Sequence, residues 1–210
     1  MIVVGAKGFA KEILHMLLVD LNYKKEDIFF FDDVSPELDE SLASNYTIIR
    51  SLEEVKQHIK TKNNSFILGL GSPKLRNNLY NKFIDLGGVP KSILSKSAQI
   101  NDHDVTIGLG TSVLSGAIIS SSAKLGIGCL VYYNSVVTHD CQIGDFVEIS
   151  PNATILGRCK IGSYTSIGAG AIILPDVVLG EHVIVGAGAV VLKDVPDNCT
   201  IVGVPGRIIS

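Results

Sequence analysis

The chain has 210 residues, 46 % of them hydrophobic and 19 % charged, with a formal net charge of -3. That length supports a sizeable core in one large or two small domains. The balance excludes a disordered acidic tail, and the lack of a basic excess argues against a nucleic-acid partner. Glycine is frequent, at 21 residues, and tryptophan is absent, which suits a tightly coiled architecture of small residues.

No apolar run approaches the roughly 18 residues of a transmembrane helix, so no membrane association is expected. Met1 leads straight into Ile2-Val3-Val4-Gly5, without a basic leader or a cleavage site. Cys129, Cys141, Cys159 and Cys199 show no CxxC spacing. A reduced, cytoplasmic protein is the expectation.

Residues 1–96 hold 13 Lys+Arg and 12 Asp+Glu, and residues 97–210 hold 5 and 9. A domain boundary is therefore expected at Ser95-Lys96-Ser97. Met1 to Val4 reads as a short strand, followed by the turn Gly5-Ala6-Lys7-Gly8 and a helix with apolar spacing from Phe9 to Leu21. Ile28 to Phe31 reads as a second strand ending at Asp32-Asp33. Ser51 and Glu54 form a capping-box pattern that opens a helix to Ile59. Phe66 to Leu70 reads as a third strand, followed by a helix reaching Leu86. This alternation predicts a Rossmann-like α/β domain with a parallel sheet over 1–96.

Residues 97–210 follow a different rule. Aliphatic residues recur every six positions from Ile107 to Val191, fifteen in succession. The position four after each anchor holds nothing larger than valine. A period of six means short strands joined by sharp corners, three sides closing a coil of 18 residues, which predicts a parallel β-helix. Cys129, Cys141 and Cys159 fall on the small inward position and read as core packing. His139 falls on the outer surface. His15 and His58 sit in predicted helices and are expected at the surface.

The hexapeptide grammar resembles that of the left-handed β-helix acyltransferases. The segment Val3-Val4-Gly5-Ala6-Lys7-Gly8-Phe9, with Asp32-Asp33, resembles the nucleotide-sugar domain of the NeuD/PglD-like sugar O-/N-acyltransferases. Thr138-His139-Asp140-Cys141-Gln142-Ile143-Gly144-Asp145 is similar to that family's active-site coil. Val202-Gly203-Val204-Pro205-Gly206-Arg207 resembles the segment that closes it. The resemblance implies a left-handed coil and direct acetyl transfer from acetyl-CoA, with His139 as general base and Asp140 supporting it. It implies that Lys7, Gly8 and Phe9 line a nucleotide-sugar pocket that Asp32 and Asp33 complete at the nucleoside. It also implies acetyl-CoA contacts at Ala169 and Ala187 and a homotrimer with sites between adjacent coils. Where some members carry a second histidine on the acetyl-CoA side, this chain has Glu148.

Further expectations follow from the same resemblance. Gly69 to Gly71, after the predicted third strand, would close the nucleotide pocket. Lys193 and Arg207 are candidates for the phosphates of CoA, or solvated charges. No metal is expected, because His103, His139 and His182 are not spaced to converge on one ion, as a γ-type carbonic anhydrase would need. The expected activity is N-acetylation of a nucleotide-linked amino sugar of the 4-amino type, in bacterial surface-glycan or glycoprotein sugar synthesis. O-acetylation of sialic acid or another sugar, and a non-catalytic nucleotide-sugar scaffold, remain as alternatives.

Overall fold

Ile2-Val3-Val4 is a run of β-branched side chains buried on both faces, and it forms the central strand of a parallel sheet. In the computed structural model, which describes residues 1–38 and 40–210, Met1–Lys91 make one unit and Ser92–Ser210 a second. The first unit has five strands, β1 (Ile2–Val4), β2 (Phe29–Phe31), β3 (Thr47–Ile49), β4 (Ser65–Leu68) and β5 (Val89–Pro90). Its helices are α1 (Gly8–His15), α2 (Glu40–Ala43), α3 (Leu52–Thr61) and α4 (Pro73–Asp85). The sheet order is β3-β2-β1-β4-β5, all parallel. Three strands were expected. β3 and β5 are the additions, edge strands too short to show a period in the sequence.

Helix α1 gives way after His15 to a π-helical turn, Met16–Asp20, rather than running on to Leu21. At α3 the capping box forms as expected: the Ser51 hydroxyl accepts from Glu54 N at 3.3 Å and donates to Glu54 Oε1 at 2.9 Å. His58, expected at the surface, is instead buried with Val55 on the inner side of α3. It meets Phe29 edge-on, with ring centroids 4.4 Å apart. Burial, reinforced by the charge of Lys62, pushes its pKa down, and its Nε2 has no hydrogen-bond partner among the described residues.

The chain divides after Lys91 rather than after Lys96 because Ile93–Leu94 already pairs with Ser112–Val113. Leu94 sits opposite Val113, 19 residues away, whereas Ile107 sits opposite Leu125, 18 away. One extra residue between Ile100 and Ile107 hides the first coil from the six-residue count.

The second unit is a left-handed parallel β-helix with three faces. Its first face starts at Ile93–Leu94, its second at Gln99–Ile100 and its third at Thr106–Ile107. The aliphatic anchors fill the axis, all buried except Ile107, which is half-buried. The small positions, from Thr111 and Ala117 to Ala189 and Val195, are buried as well. All four cysteines are free. The Cys141 and Cys159 thiols donate to the Leu156 and Leu174 carbonyls at 3.2 and 3.0 Å, as expected of core residues.

Each corner carries a column of residues with positive φ, one per coil. Between the first and second faces these are Gly116, Asn134, Asn152, Gly170 and Gly188. Between the second and third they are Asp104, Ser122, Asp140, Arg158 and Asp176. Between the third and first they are Gly110, Gly128, Phe146, Tyr164, His182 and Asn198. Beyond Val191 the register tightens, and Val185 pairs with Ile201, 16 residues on. Thr200–Val202 then meets Arg207–Ile208 as an antiparallel pair that closes the end of the first face.

Candidate functional site

Val136–Val137 runs along the second face and Gln142–Ile143 along the third, so residues 138–141 turn the corner between them. Asp140 makes the turn with φ of 61°, in the left-handed region that Asp and Asn enter more readily than most residues. On a flat strand His139 and Asp140 would point to opposite sides; at this corner they meet. His139 Nδ1 donates to Asp140 Oδ2 at 2.8 Å, since a carboxylate only accepts. The proton is thereby held on Nδ1, and the lone pair of neutral imidazole lies on Nε2. The two side chains remain 52 % and 54 % open.

Gly157 stands one coil beyond His139 in the same column. A Cβ there would lie 2.5 Å from His139 Cε1 and 2.6 Å from Nε2, so the ring occupies the space a side chain would take. The next residue, Arg158, donates its main-chain N–H to the His139 carbonyl at 3.0 Å. Its guanidinium grips Asp176 with two bonds, Nε to Oδ1 at 2.6 Å and Nη2 to Oδ2 at 2.8 Å. Gly157, Arg158 and Asp176 escaped the residue-by-residue reading. The 18-residue coil length, added to 139 and to 140, would have found all three.

The residues expected at acetyl-CoA fall on two edges of the coil. Lys193 lies at the same second-to-third corner as His139, just past Val190–Val191, where the last coil is two residues shorter. Lys193 and Arg207 line one cavity of about 280 Å³ together with Leu192, Asp194, Gly206 and Ile208. Two cations set against one carboxylate leave a net positive mouth that can hold a phosphorylated, partly apolar ligand. Ala169 and Ala187 are exposed at the corner between the first and second faces. Their neighbours Gly170 and Gly188 have φ of 66° and 67° with nothing within 4 Å of an added Cβ, so this corner is bare backbone. Glu148 is half-buried on the first face. One chain therefore does not bring Glu148, Ala169 and Ala187 beside His139. A broad groove of about 540 Å³ runs down the third face over Gly126, Gly144 and Gly162, flanked by Lys124 and Lys160.

In the first unit the strand order reverses between β1 and β4, the place where open α/β sheets bind ligands at the carboxyl ends of their strands. Gly5, with φ of 109°, and Gly69 meet there. A Cβ on Gly5 would lie 2.8 Å from the Gly69 carbonyl, and one on Gly69 2.8 Å from Val3 Cγ1. Lys7 and Gly8 are exposed and Phe9 half-buried at the start of α1, whose N-terminal N–H groups favour an anion. Asp32 is already engaged within its own turn. Its carboxylate is buried and accepts from Val34 N, Ser35 N and the Ser35 hydroxyl at 3.2, 2.8 and 3.0 Å. Arg50 Nη1 clamps the same turn through the Asp32 and Ser35 carbonyls at 3.2 and 2.7 Å. Asp32 therefore shapes the turn, and Asp33 is the acidic side chain open to a ligand. Gly71 accepts from the guanidinium of buried Arg76, which ties the loop after β4 to α4.

Among the described residues no cluster of three or more His, Cys, Asp or Glu is grouped to hold a metal ion. No helix among them is long and apolar enough to cross a membrane.

Comparison with known proteins bears on both units. A family model described as PglD N-terminal domain matches residues 1–83, and one described as bacterial transferase hexapeptide (six repeats) matches residues 158–193. WeeI from Acinetobacter baumannii is 30 % identical with a TM-score of 0.88, and the match covers 100 % of both chains. The acetyltransferase domain of PglB from Neisseria gonorrhoeae, in complex with acetyl coenzyme A, is 27 % identical with a TM-score of 0.88, covering 99 % of this chain and 98 % of that one. PerB from Caulobacter crescentus, in complex with CoA and GDP-perosamine, is 25 % identical with a TM-score of 0.89, covering 100 % and 96 %. No curated protein matches the sequence.

Proposed function

The chain belongs to the PglD-like, hexapeptide-repeat sugar acyltransferases, and from that premise we propose that it transfers acetyl from acetyl-CoA to the amine of a nucleotide-linked 4-amino sugar. The observation that carries this reading is the His139–Asp140 pair, held at 2.8 Å on an open corner. Support comes from PerB, which binds CoA and GDP-perosamine, and from the PglB domain, which binds acetyl coenzyme A. The pathway on this reading is bacterial surface-glycan or glycoprotein sugar synthesis in the cytoplasm.

The chemistry follows from the pair. The amine nitrogen attacks the thioester carbonyl, and His139 Nε2 accepts a proton from it. Asp140, bonded to Nδ1–H, stabilises the imidazolium that forms. The tetrahedral intermediate collapses with loss of the CoA thiolate, and the proton on Nε2 returns to the sulfur. Lys193 and Arg207 hold the phosphates of CoA. The nucleotide rests on Lys7, Gly8 and Phe9 at the start of α1, with Asp33 at the nucleoside and Gly69 closing the loop opposite. Glu148, Ala169 and Ala187 approach acetyl-CoA from an adjacent coil, which accounts for their place on a different edge from His139. A homotrimer supplies such a neighbour. Its second face offers the outward, partly exposed column Ile118, Val136, Ile172 and Val190 for packing.

The test is thiol release from acetyl-CoA against UDP-, dTDP- and GDP-linked 4-amino sugars, with free sialic acid alongside. Turnover with one amino sugar, abolished by His139→Ala, is the expected result. Turnover with sialic acid alone would replace N-acetylation with O-acetylation. Nucleotide-sugar binding without any turnover would leave a scaffold.

A further inference from the structure

We propose that Asp176 is a positioning residue for the His139–Asp140 pair, acting by keeping the Arg158 guanidinium off Asp140. The inference rests on the reading of His139 as the base. Asp140, Arg158 and Asp176 occupy one corner column at successive coils, with φ of 61°, 64° and 67°. Neighbouring coils are about 4.8 Å apart, so Arg158 has a carboxylate one coil to either side. Among the described residues its side-chain hydrogen bonds all go to one of them. Nε and Nη2 engage both oxygens of Asp176, while Asp140 Oδ2 is left to His139 Nδ1.

That partition is not imposed by reach, since an arginine side chain spans one coil in either direction. The charge of Asp140 is felt at the guanidinium even so: Asp176 and, to a lesser degree, Asp140 both raise its pKa. A bidentate arginine–carboxylate pair is stronger than the single bond an imidazole makes to the same carboxylate. With Asp176 neutralised, Arg158 turns to Asp140 and draws it from Nδ1. Asp194 is no substitute: the shortened last coil sets it beside Val178 rather than over Asp176, and its Oδ1 already accepts from Val178 N at 2.8 Å. The Arg158 and Asp176 side chains are 52 % and 64 % exposed, and ion pairs so open contribute little to stability. Their role is to assign partners along the column.

The experiment compares the wild type, Asp176→Asn, and Asp176→Asn with Arg158→Asn. Asparagine is chosen at both places because it accepts the left-handed backbone. Asp176→Asn should lower kcat about tenfold with KM for acetyl-CoA within about twofold, in the range mutation of supporting residues reaches. Adding Arg158→Asn should restore most of the lost kcat, which loss of a structural contact would not do. The hydrogen-bonded Nδ1 proton of His139, followed by NMR, should vanish in the single variant and return in the double. A single variant with wild-type kcat and an intact Nδ1 signal would overturn the proposal, as would a double variant no better than the single. Full turnover in His139→Ala would instead overturn the base assignment. The NMR comparison would then still decide whether Asp176 protects the pair.

Discussion

Two corners of the same coil share a backbone and differ in everything built on it. Where the second face meets the third, the positive-φ column carries Asp140, Arg158 and Asp176, side chains that bond in pairs and stay open. Where the third meets the first, it carries Phe146, Tyr164 and His182. The Phe146 and Tyr164 rings lie 3° from parallel at 5.8 Å, and Tyr164 and His182 10° from parallel at 4.9 Å. The first corner leaves polar atoms facing outward, and the second uses its side chains to stack on themselves. A glycine makes room at each: Gly157 against the His139 ring, and Gly128 against Phe146. The contrast teaches that a histidine on a β-helix gains chemistry from its column neighbours rather than from its exposure. His139 and His182 are both exposed, yet only His139 has a carboxylate on its ring nitrogen.

The largest expected effect tests that contrast head-on. His139→Ala should lower kcat by about 10²–10⁴, the usual contribution of a general base, while His182→Ala should keep kcat within about twofold; steady-state thiol release measures both. If the two variants lost activity alike, the contrast between corners would fail. Next come matched glycine substitutions. Gly128→Ala adds a Cβ 2.3 Å from the buried Phe146 ring on a residue with φ of 61°. It should destabilise the fold by about 3 kcal/mol, from overpacking and left-handed strain together, as read by denaturant unfolding. Gly157→Ala displaces an open ring instead. It should lower kcat about tenfold, about 1.4 kcal/mol in the barrier, with an unfolding midpoint close to wild type.

A third histidine setting gives the smallest effect. Buried His58 has a lowered pKa in the folded state, so the folded form resists protonation more than the unfolded chain does. Its contribution to stability is complete above the unfolded value, about 6.5, and is lost as the pH falls below that through the lower folded value. The thermal midpoint of the wild type should therefore drop between pH 7.5 and 5.5, and His58→Phe should flatten that part of the curve.

Much of the architecture was legible because the coil repeats. Fifteen aliphatic anchors six residues apart admit few other structures, and they pack along the axis as the spacing implies. The ends of the coil were not legible, since an extra residue before Ile107 and a 16-residue last turn break the count. In the first unit, three-residue strands such as Thr47–Ile49 carry too few positions to declare themselves. The pairing of His139 with Asp140 was open from sequence, because side-chain direction depends on whether Asp140 takes positive φ. Asp32 is expected at the nucleoside only through the family resemblance of the strand end it shares with Asp33. Its commitment to Val34 and Ser35 is set by a turn that only the backbone reveals. His58 was misplaced because its helix packs on the sheet through the face that carries it.

The antiparallel pair of Thr200–Val202 and Arg207–Ile208 bears on how long such an object can grow. A β-helix presents a rung of unpaired backbone groups at its end, and an identical molecule offers a matching rung, so stacking end to end would make a fibre. Here the chain turns back at Gly203–Gly206 and lays a strand of opposite direction over the terminal rung of the first face. With Arg207 in it, that rung offers an incoming parallel strand neither its hydrogen-bonding partners nor a neutral surface. A chain shortened before Arg207 should keep its coil and lose its solubility.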